Sequence, residues 1–275
     1  MINFFLLFAL ILFVVGYWRL DDFRRVYWSK KYRDSALSDN DIAILYRYMP
    51  IYRSLSAEQR VRLNHHIVWF LGEKRVLGRN GLDVNRAMRL IIAADACLLG
   101  LNQDWPLYPN VSEILLYPSQ YYVSESARDG AGLINYHTRI RQGESWPGGT
   151  LVLSWQDVLE GNRLPNDGHN LVIHEFAHQL DQQSGQTNGT PALPKRITYG
   201  RWGEVLSRAF GRLKTQLAYQ MPCTFDAYAA TNEAEFFAVA SETFIEKPHQ
   251  FYQSEPELYH LFVEYYQFDP LLWYR

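Results

Sequence analysis

The sequence predicts an α+β protein, predominantly helical, with a small sheet and a transmembrane helix at its N-terminus. Three observations carry that prediction. Apolar residues recur at helical spacing through most of the chain after Asp41. Two short runs, Ile114–Val123 and Thr150–Trp155, have the branched and aromatic character of strands. The stretch Phe4–Trp18 is continuously apolar, with no charge and no proline. A chain of 275 residues that is 48% hydrophobic and 15% aromatic can bury a substantial core. Its net charge of −2 and the lack of a basic block of the nucleic-acid-binding kind point away from nucleic acid as a partner. Two cysteines, Cys97 and Cys223, cannot build a disulfide framework or a cysteine-based zinc site, and they suit a reducing compartment.

The apolar segment 2–18 has 17 residues, roughly 25 Å as a helix and near the lower limit for crossing a bilayer. Tyr17 and Trp18 fall where an interfacial aromatic belt is expected. A cleaved signal peptide would need a basic region ahead of the run and a small-x-small site after it, and this sequence has neither. Arg19, Arg24, Arg25, Lys30, Lys31 and Arg33 all follow the run. By the positive-inside rule the N-terminus is outside and the body is cytoplasmic, as in a single-pass protein of the bacterial inner membrane. Residues 19–40, polar and charged, read as a juxtamembrane linker. Residues 41–275 form the folded body, with a helical part over 41–110 and a part over 111–275 that carries the chemistry.

Within the body, Asp41–Met49 has helical spacing. Ser56 to Gln59 offers a capping start for a helix whose buried side is Val61, Leu63, Ile67 and Phe70. Lys74–Leu82 is a short strand or loop, and Asn85–Leu99 is apolar enough to be the central helix. His65 and His66 have no partner at ligand spacing and read as solvated or packed, as do His249 and His260. Pro118 bends or ends the first β run. In the second, Leu151 and Leu153 alternate with Val152 and Ser154 after a Gly148–Gly149 turn. Because it precedes the motif helix closely, this run is expected either to be a sheet edge that pairs with an extended peptide or to be an ordinary core strand. A helix near Trp202–Gln220 and an apolar closing helix over Leu258–Phe268 complete the body.

The chemistry centres on Leu171–Gln183, LVIHEFAHQLDQQ. His174 and His178 are four residues apart and share one helical face, so both imidazoles can hold one metal ion. Glu175 follows the first histidine and can act on the attacking water, the arrangement of a zinc metallopeptidase helix. Asp181 lies on the same face and is expected to accept a hydrogen bond from a ligand histidine. A catalytic zinc needs a third protein ligand. The segment Asp226–Phe244 offers Glu233, Glu235 and Glu242; Glu235 and Glu242 are seven apart and share a face, and the residues alone leave these two open. Glu235 could equally complete a capping box with Asn232.

HEFAHQLD followed by DAYAATNEAEFFAVASE, with EILLYPSQYYV and TLVLSWQDV upstream, resembles the MtfA (Mlc titration factor A) family of bacterial zinc peptidases. The first pair also resembles the catalytic core of the lethal-factor metalloprotease. The resemblance implies a zincin-like metallopeptidase domain holding one Zn²⁺ per chain. Its third ligand is then Glu235, 57 residues after His178, with Tyr228 stabilising the tetrahedral intermediate. It further implies a peptide or protein substrate, aminopeptidase action and binding of a transcriptional repressor of sugar uptake. The membrane segment is a departure from the soluble family members. The competing reading is a regulatory binding module with a structural zinc site, against which the intact Glu175 argues.

Overall fold

The computed structural model describes residues 35–103, 107–119, 121–128, 134–141, 143–146, 149–163 and 166–274, with backbone alone for those between 121 and 146. The apolar segment 2–18 and most of the linker lie outside these residues. Among the described residues no helix is long and apolar enough to cross a membrane.

The body begins slightly earlier than the sequence predicts. Helix α1 spans Asp39–Tyr48, because Ser38 and Asp41 close a reciprocal capping box two residues ahead of the apolar pattern. After the short helix α2, Pro50–Ser54, a second capping box, Ser56 with Gln59, starts α3, Ala57–Glu73. Its buried side is Leu63, His66, Ile67 and Phe70. Val61, expected inside, is 55% exposed. It stands two residues from Leu63 and so about 200° around the helix from it. His66 is buried beside Trp69 and His65 is exposed. Strand β1, Arg75–Gly78, leads to α4, Arg86–Leu99, capped by the Asn85 side chain. Every residue of α4 from Leu90 onward is buried, and α4 packs on α1, on α3 and on the motif helix.

The sheet combines two kinds of pairing. Strands β2 (Glu113–Tyr117), β5 (Gly143–Trp146) and β6 (Thr150–Ser154) join β1 in the order β1-β2-β6-β5. The β1–β2 and β2–β6 pairs are parallel, with Ile114 opposite Val76 and Leu151, whereas β5 runs antiparallel to β6. Strands β3 (Tyr121–Arg128) and β4 (Ile134–Arg141) form a separate antiparallel ribbon. The predicted run Ile114–Val123 is thus two strands, parted after Tyr117 at Pro118, which has no N–H to donate.

The run Thr150–Trp155 is not a sheet edge. As β6 it is paired on both sides, by β2 and by β5, and Leu151 to Ser154 are buried on both faces. A doubly covered, partly parallel strand has no backbone groups left for a peptide. The edges are β1 and β5, and of these β5 packs against the motif helix.

Helix α5, Trp155–Arg163, leads to α6, Leu171–Gln182, the motif helix. Helix α7, Tyr199–Ala218, is capped by Thr198; α8, Glu233–Glu246, α9, Pro248–Ser254, and α10, Pro256–Tyr266, close the chain. One apolar core runs from Leu45 to Trp273 across the expected division at residue 110. Tyr108 and Phe70 both pack on Phe176 of α6, with ring centroids 4.6 and 5.7 Å away.

Two carboxyls are buried beneath the start of α6. Asp95 of α4 accepts from the Asn162 amide at 2.6 Å, and Glu246 of α8 accepts from the Asn166 backbone N–H at 2.9 Å. Asn170, whose side chain caps α6 at Ile173, also bonds to both carboxyls. Burial pushes Asp95 up to about 7 against the hydrogen bonds from Asn162 and Asn170. Burial likewise pushes Glu246 up to about 8, helped by Asp95 and Asp167 and opposed by the Asn166 N–H and by Asn170. Both therefore keep protons in the fold that the unfolded chain releases near pH 4. Their contribution to stability falls as pH rises from there and levels off once both have ionised. In urea unfolding, Asp95→Asn with Glu246→Gln is expected to flatten the decline between about pH 5 and about pH 8 relative to the unmodified chain.

Candidate metal centre

Helices α6 and α8 share the most extensive helix–helix contact among the described residues, and the site lies at their crossing. The local sequence fixes both starts. Asn170 accepts from the Ile173 N–H at 3.1 Å and sets the first turn of α6. Asn232 accepts from the Glu235 N–H at 2.9 Å and sets the first turn of α8. The second cap uses only the backbone of Glu235, so its carboxylate is free to point across to α6.

That carboxylate meets both motif histidines. Glu235 Oε2 lies 3.1 Å from His174 Nε2 and 3.2 Å from His178 Nε2, and the two nitrogens are 3.2 Å apart. Three donor atoms in such a triangle match one face of a tetrahedron around an ion with bonds of about 2.0–2.2 Å, whose edges are about 3.4 Å. Two imidazole nitrogens facing each other across a carboxylate oxygen leave lone pairs that a shared cation satisfies. Among the described residues this is the one His/Cys/Asp/Glu group that could hold a metal ion. All three side chains are mostly buried but reach solvent.

Glu242, two turns beyond Glu235 on α8, makes a short hydrogen bond to His174 Nδ1. His174 thus has a carboxylate at each nitrogen, the arrangement that fixes a ligand imidazole's tautomer and raises its basicity. The seven-residue spacing from Glu235 was the sequence signal for this partner, although it could not say whether Glu242 would bind metal or a histidine. Burial pulls the His174 imidazole down, but Glu242, Glu235 and Glu175 outweigh it and hold it well above the usual histidine range. Burial opposes ionisation of Glu235 too, and its hydrogen bonds to His174 and His178 more than reverse that, holding it below the ordinary carboxylate range. Glu175, Glu235 and Glu242 thus surround two imidazoles in a mostly buried space, an excess of negative charge that a divalent cation would balance.

Asp181 is not hydrogen-bonded to a ligand histidine, contrary to expectation. Its Oδ2 accepts from the Gly189 N–H at 2.8 Å, while its Oδ1 and His178 Nδ1 are buried with no hydrogen-bond partner. The loop after α6 takes the carboxylate first. Gly189 has φ +75, and a Cβ there would meet the Glu233 carbonyl oxygen at 2.4 Å. Its own carbonyl accepts from Trp202 Nε1 at 2.9 Å. This glycine therefore ties α6, α7 and the first turn of α8 together.

Glu175 is buried beside the two histidines, and burial raises its carboxyl against the pull of His174 and His178. Tyr228 lies in a short 3₁₀ turn, Ala227–Ala230, pinned by its N–H to Asp226 at 2.8 Å. It is 54% exposed, and its ring centroid is 6.1 Å from that of His174. It therefore stands on the rim of the centre. His169, His249 and His260 are exposed and take no part.

The model of the glucose-regulated metallo-peptidase M90 family matches residues 23–267. An uncharacterized protein of Synechocystis sp. is 38% identical over 231 residues, covering 84% of each chain. Proteins named Mlc titration factor A are similar as well. That of Escherichia fergusonii is 34% identical over 229 residues, 82% of this chain and 84% of its own. That of Enterobacter sp. is 33% identical over 228 residues, 81% and 84% respectively.

Two substitutions test the assembly of the centre. Glu242→Gln should lower zinc affinity by about ten- to a hundredfold in a chelator competition, with the far-ultraviolet spectrum unchanged. Gly189→Ala should destabilise the fold by at least about 2 kcal/mol in urea unfolding, since it combines a left-handed backbone with a contact against a carbonyl.

Proposed function

The chain belongs to the glucose-regulated metallo-peptidase M90 family, and from that premise we propose that it is a zinc-dependent enzyme hydrolysing peptide bonds. The observation that carries this reading is the triangle of His174 Nε2, His178 Nε2 and Glu235 Oε2, with the Glu175 carboxylate on the same helix. These three residues would hold one Zn²⁺, with two imidazoles that give up any proton on binding and one anion. When bound, the ion lowers the pKa of a water and polarises the peptide carbonyl.

The chain's own groups do the rest. Glu175 takes a proton from the attacking water and passes it to the leaving nitrogen, a shuttle suited to a carboxyl whose pKa burial has raised. Tyr228, on the rim above His174, donates its hydroxyl proton to the oxygen on which charge develops. Glu242 fixes the His174 ring. An extended peptide pairs with the free edge of β5, which lies against α6.

The anchoring reading comes from the sequence: segment 2–18 crosses the bacterial inner membrane and the basic residues after it keep the body on the cytoplasmic side. Aminopeptidase action is the form of hydrolysis we assign, from the family resemblance. Binding of a transcriptional regulator rests on the relatives' name, Mlc titration factor A, and a structural metal site would have no use for Glu175.

Glu175→Gln should retain one zinc per chain and lose hydrolysis of amino-acid and short-peptide chromogenic substrates by at least about a hundredfold. Glu235→Gln should lose the metal itself. Undiminished hydrolysis in the first variant would overturn the mechanism, and full zinc content in the second would overturn the ligand set.

A further inference from the structure

The first three helices carry a cationic and aromatic face made by residues other than those of the metal centre. Tyr46 and Tyr48, at the end of α1, are 40% and 38% exposed. The Arg60 guanidinium lies 5.9 Å from the centroid of the Tyr46 ring, and that of Arg47 lies 5.3 Å from the Tyr48 ring. Arg53 donates to the carbonyl of Tyr46 at 2.6 Å and to that of Arg47 at 3.4 Å, and Arg60 donates to the carbonyl of Arg53 at 3.4 Å. Tyr46 in turn stands edge-on to the buried Tyr52 at 5.1 Å. Arg53 and Arg60 are thus gathered about Tyr46 at the end of α1, with Arg47 and Tyr48 paired beside them at the same helix end and no carboxylate among these contacts. The acids on the same helices serve elsewhere, Asp41 with Arg86 at 2.9 Å, Glu58 with Arg62 at 3.5 Å and Glu73 with Lys74 at 3.6 Å. Asp39 is at the opposite end of α1.

Arginine and tyrosine together are the residues that settle at a bilayer's polar boundary, where the charge meets phosphate and the ring meets the upper acyl region. The chain enters the fold at Asp39, and Tyr46 to Tyr48 lie only about 10–14 Å further along α1. Residues 19–33 just ahead carry six more basic side chains against two acidic ones, Asp21 and Asp22. We propose that this end of α1, ringed by Tyr46, Arg47, Tyr48, Arg53 and Arg60, lies against anionic phospholipid headgroups of the bilayer that receives segment 2–18. The proposal rests on the anchoring reading and adds a second contact to it. The apolar segment tethers the domain, and the arginine face sets which side of it meets the membrane, so that the metal centre keeps a fixed orientation to the bilayer.

The test uses the full chain with vesicles of phosphatidylcholine alone or with phosphatidylglycerol, read by hydrogen exchange over residues 44–60. Anionic vesicles should protect this stretch, 0.5 M salt should remove the protection (an ionic strength of about 0.5 M leaves a Debye length of only about 4 Å), and neutral vesicles should give none. Arg47→Glu with Arg53→Glu and Arg60→Glu should abolish it and weaken anionic-vesicle binding by roughly a hundredfold. The three Arg→Lys changes, which keep the charge, should retain it. Equal exchange in both vesicle types overturns the proposal, as does protection by single-stranded RNA with none by anionic lipid. Carbonate extraction from neutral vesicles reads the tether separately. A chain that is stripped there, yet protected by anionic lipid, loses the anchoring reading and keeps the arginine face.

Discussion

The imidazole of His174 is held at both ends by one helix. Glu235 faces its Nε2 and Glu242 its Nδ1, two turns apart on α8. No such pairing is available within α6, where the groups one turn either way are His178 and Asn170. The centre therefore exists only if α6 and α8 cross at one place and in one rotational setting. The rest of the body can be read as what enforces that crossing. Asn170 and Asn232 fix where the helices begin, and Gly189 fastens the loop of one to the first turn of the other. On the side of α8 that Phe237 occupies, Trp202 and Phe262 stack on each other and both pack against the Phe237 ring, so that a change at one is felt by the others.

Polar burial falls around the motif helix for a reason. Asp95 and Glu246 lie under its N-terminus, bonded to Asn170, and burial keeps them protonated near neutrality. Two ionised carboxylates would offset the helix dipole favourably but repel each other in a dry space; two neutral ones act as hydrogen-bond partners and leave the end of α6 rigid. At the other end of the first turn and beyond, Glu175, Glu235 and Glu242 surround the two histidines with charge that a divalent ion balances. The helix thus begins over acids whose pKa burial raises and continues past Glu235, which the two histidines hold below the ordinary carboxylate range.

Much of this was legible in the sequence. The His174, Glu175, His178 spacing placed three groups on one face of a helix, and the periodicity of Asn85–Leu99 marked the central helix. Capping residues Ser56 and Asn232 did start helices, since a cap is a contact between residues three apart. What was not legible depends on distant contacts. Strand order is one case: Thr150–Ser154 looks like an alternating strand, and only its neighbours β2 and β5 make it internal. Asp181 is another, because its face was right but the returning loop supplied a closer donor in Gly189. The roles of Glu235 and Glu242 were undecidable from their spacing, which puts both on one face of α8 without saying which nitrogen of His174 each meets.

The central claim is that the α6–α8 crossing builds a tetrahedral metal site from His174, His178 and Glu235. X-ray absorption at the zinc edge of the metal-loaded chain tests it most directly. The account predicts a four-coordinate ion with two imidazoles at about 2.0–2.1 Å and the remaining positions filled by oxygen, and a spectrum that loses one imidazole in His178→Ala. An ion carrying a single imidazole or sulfur ligation, or a spectrum unchanged by that substitution, would contradict it.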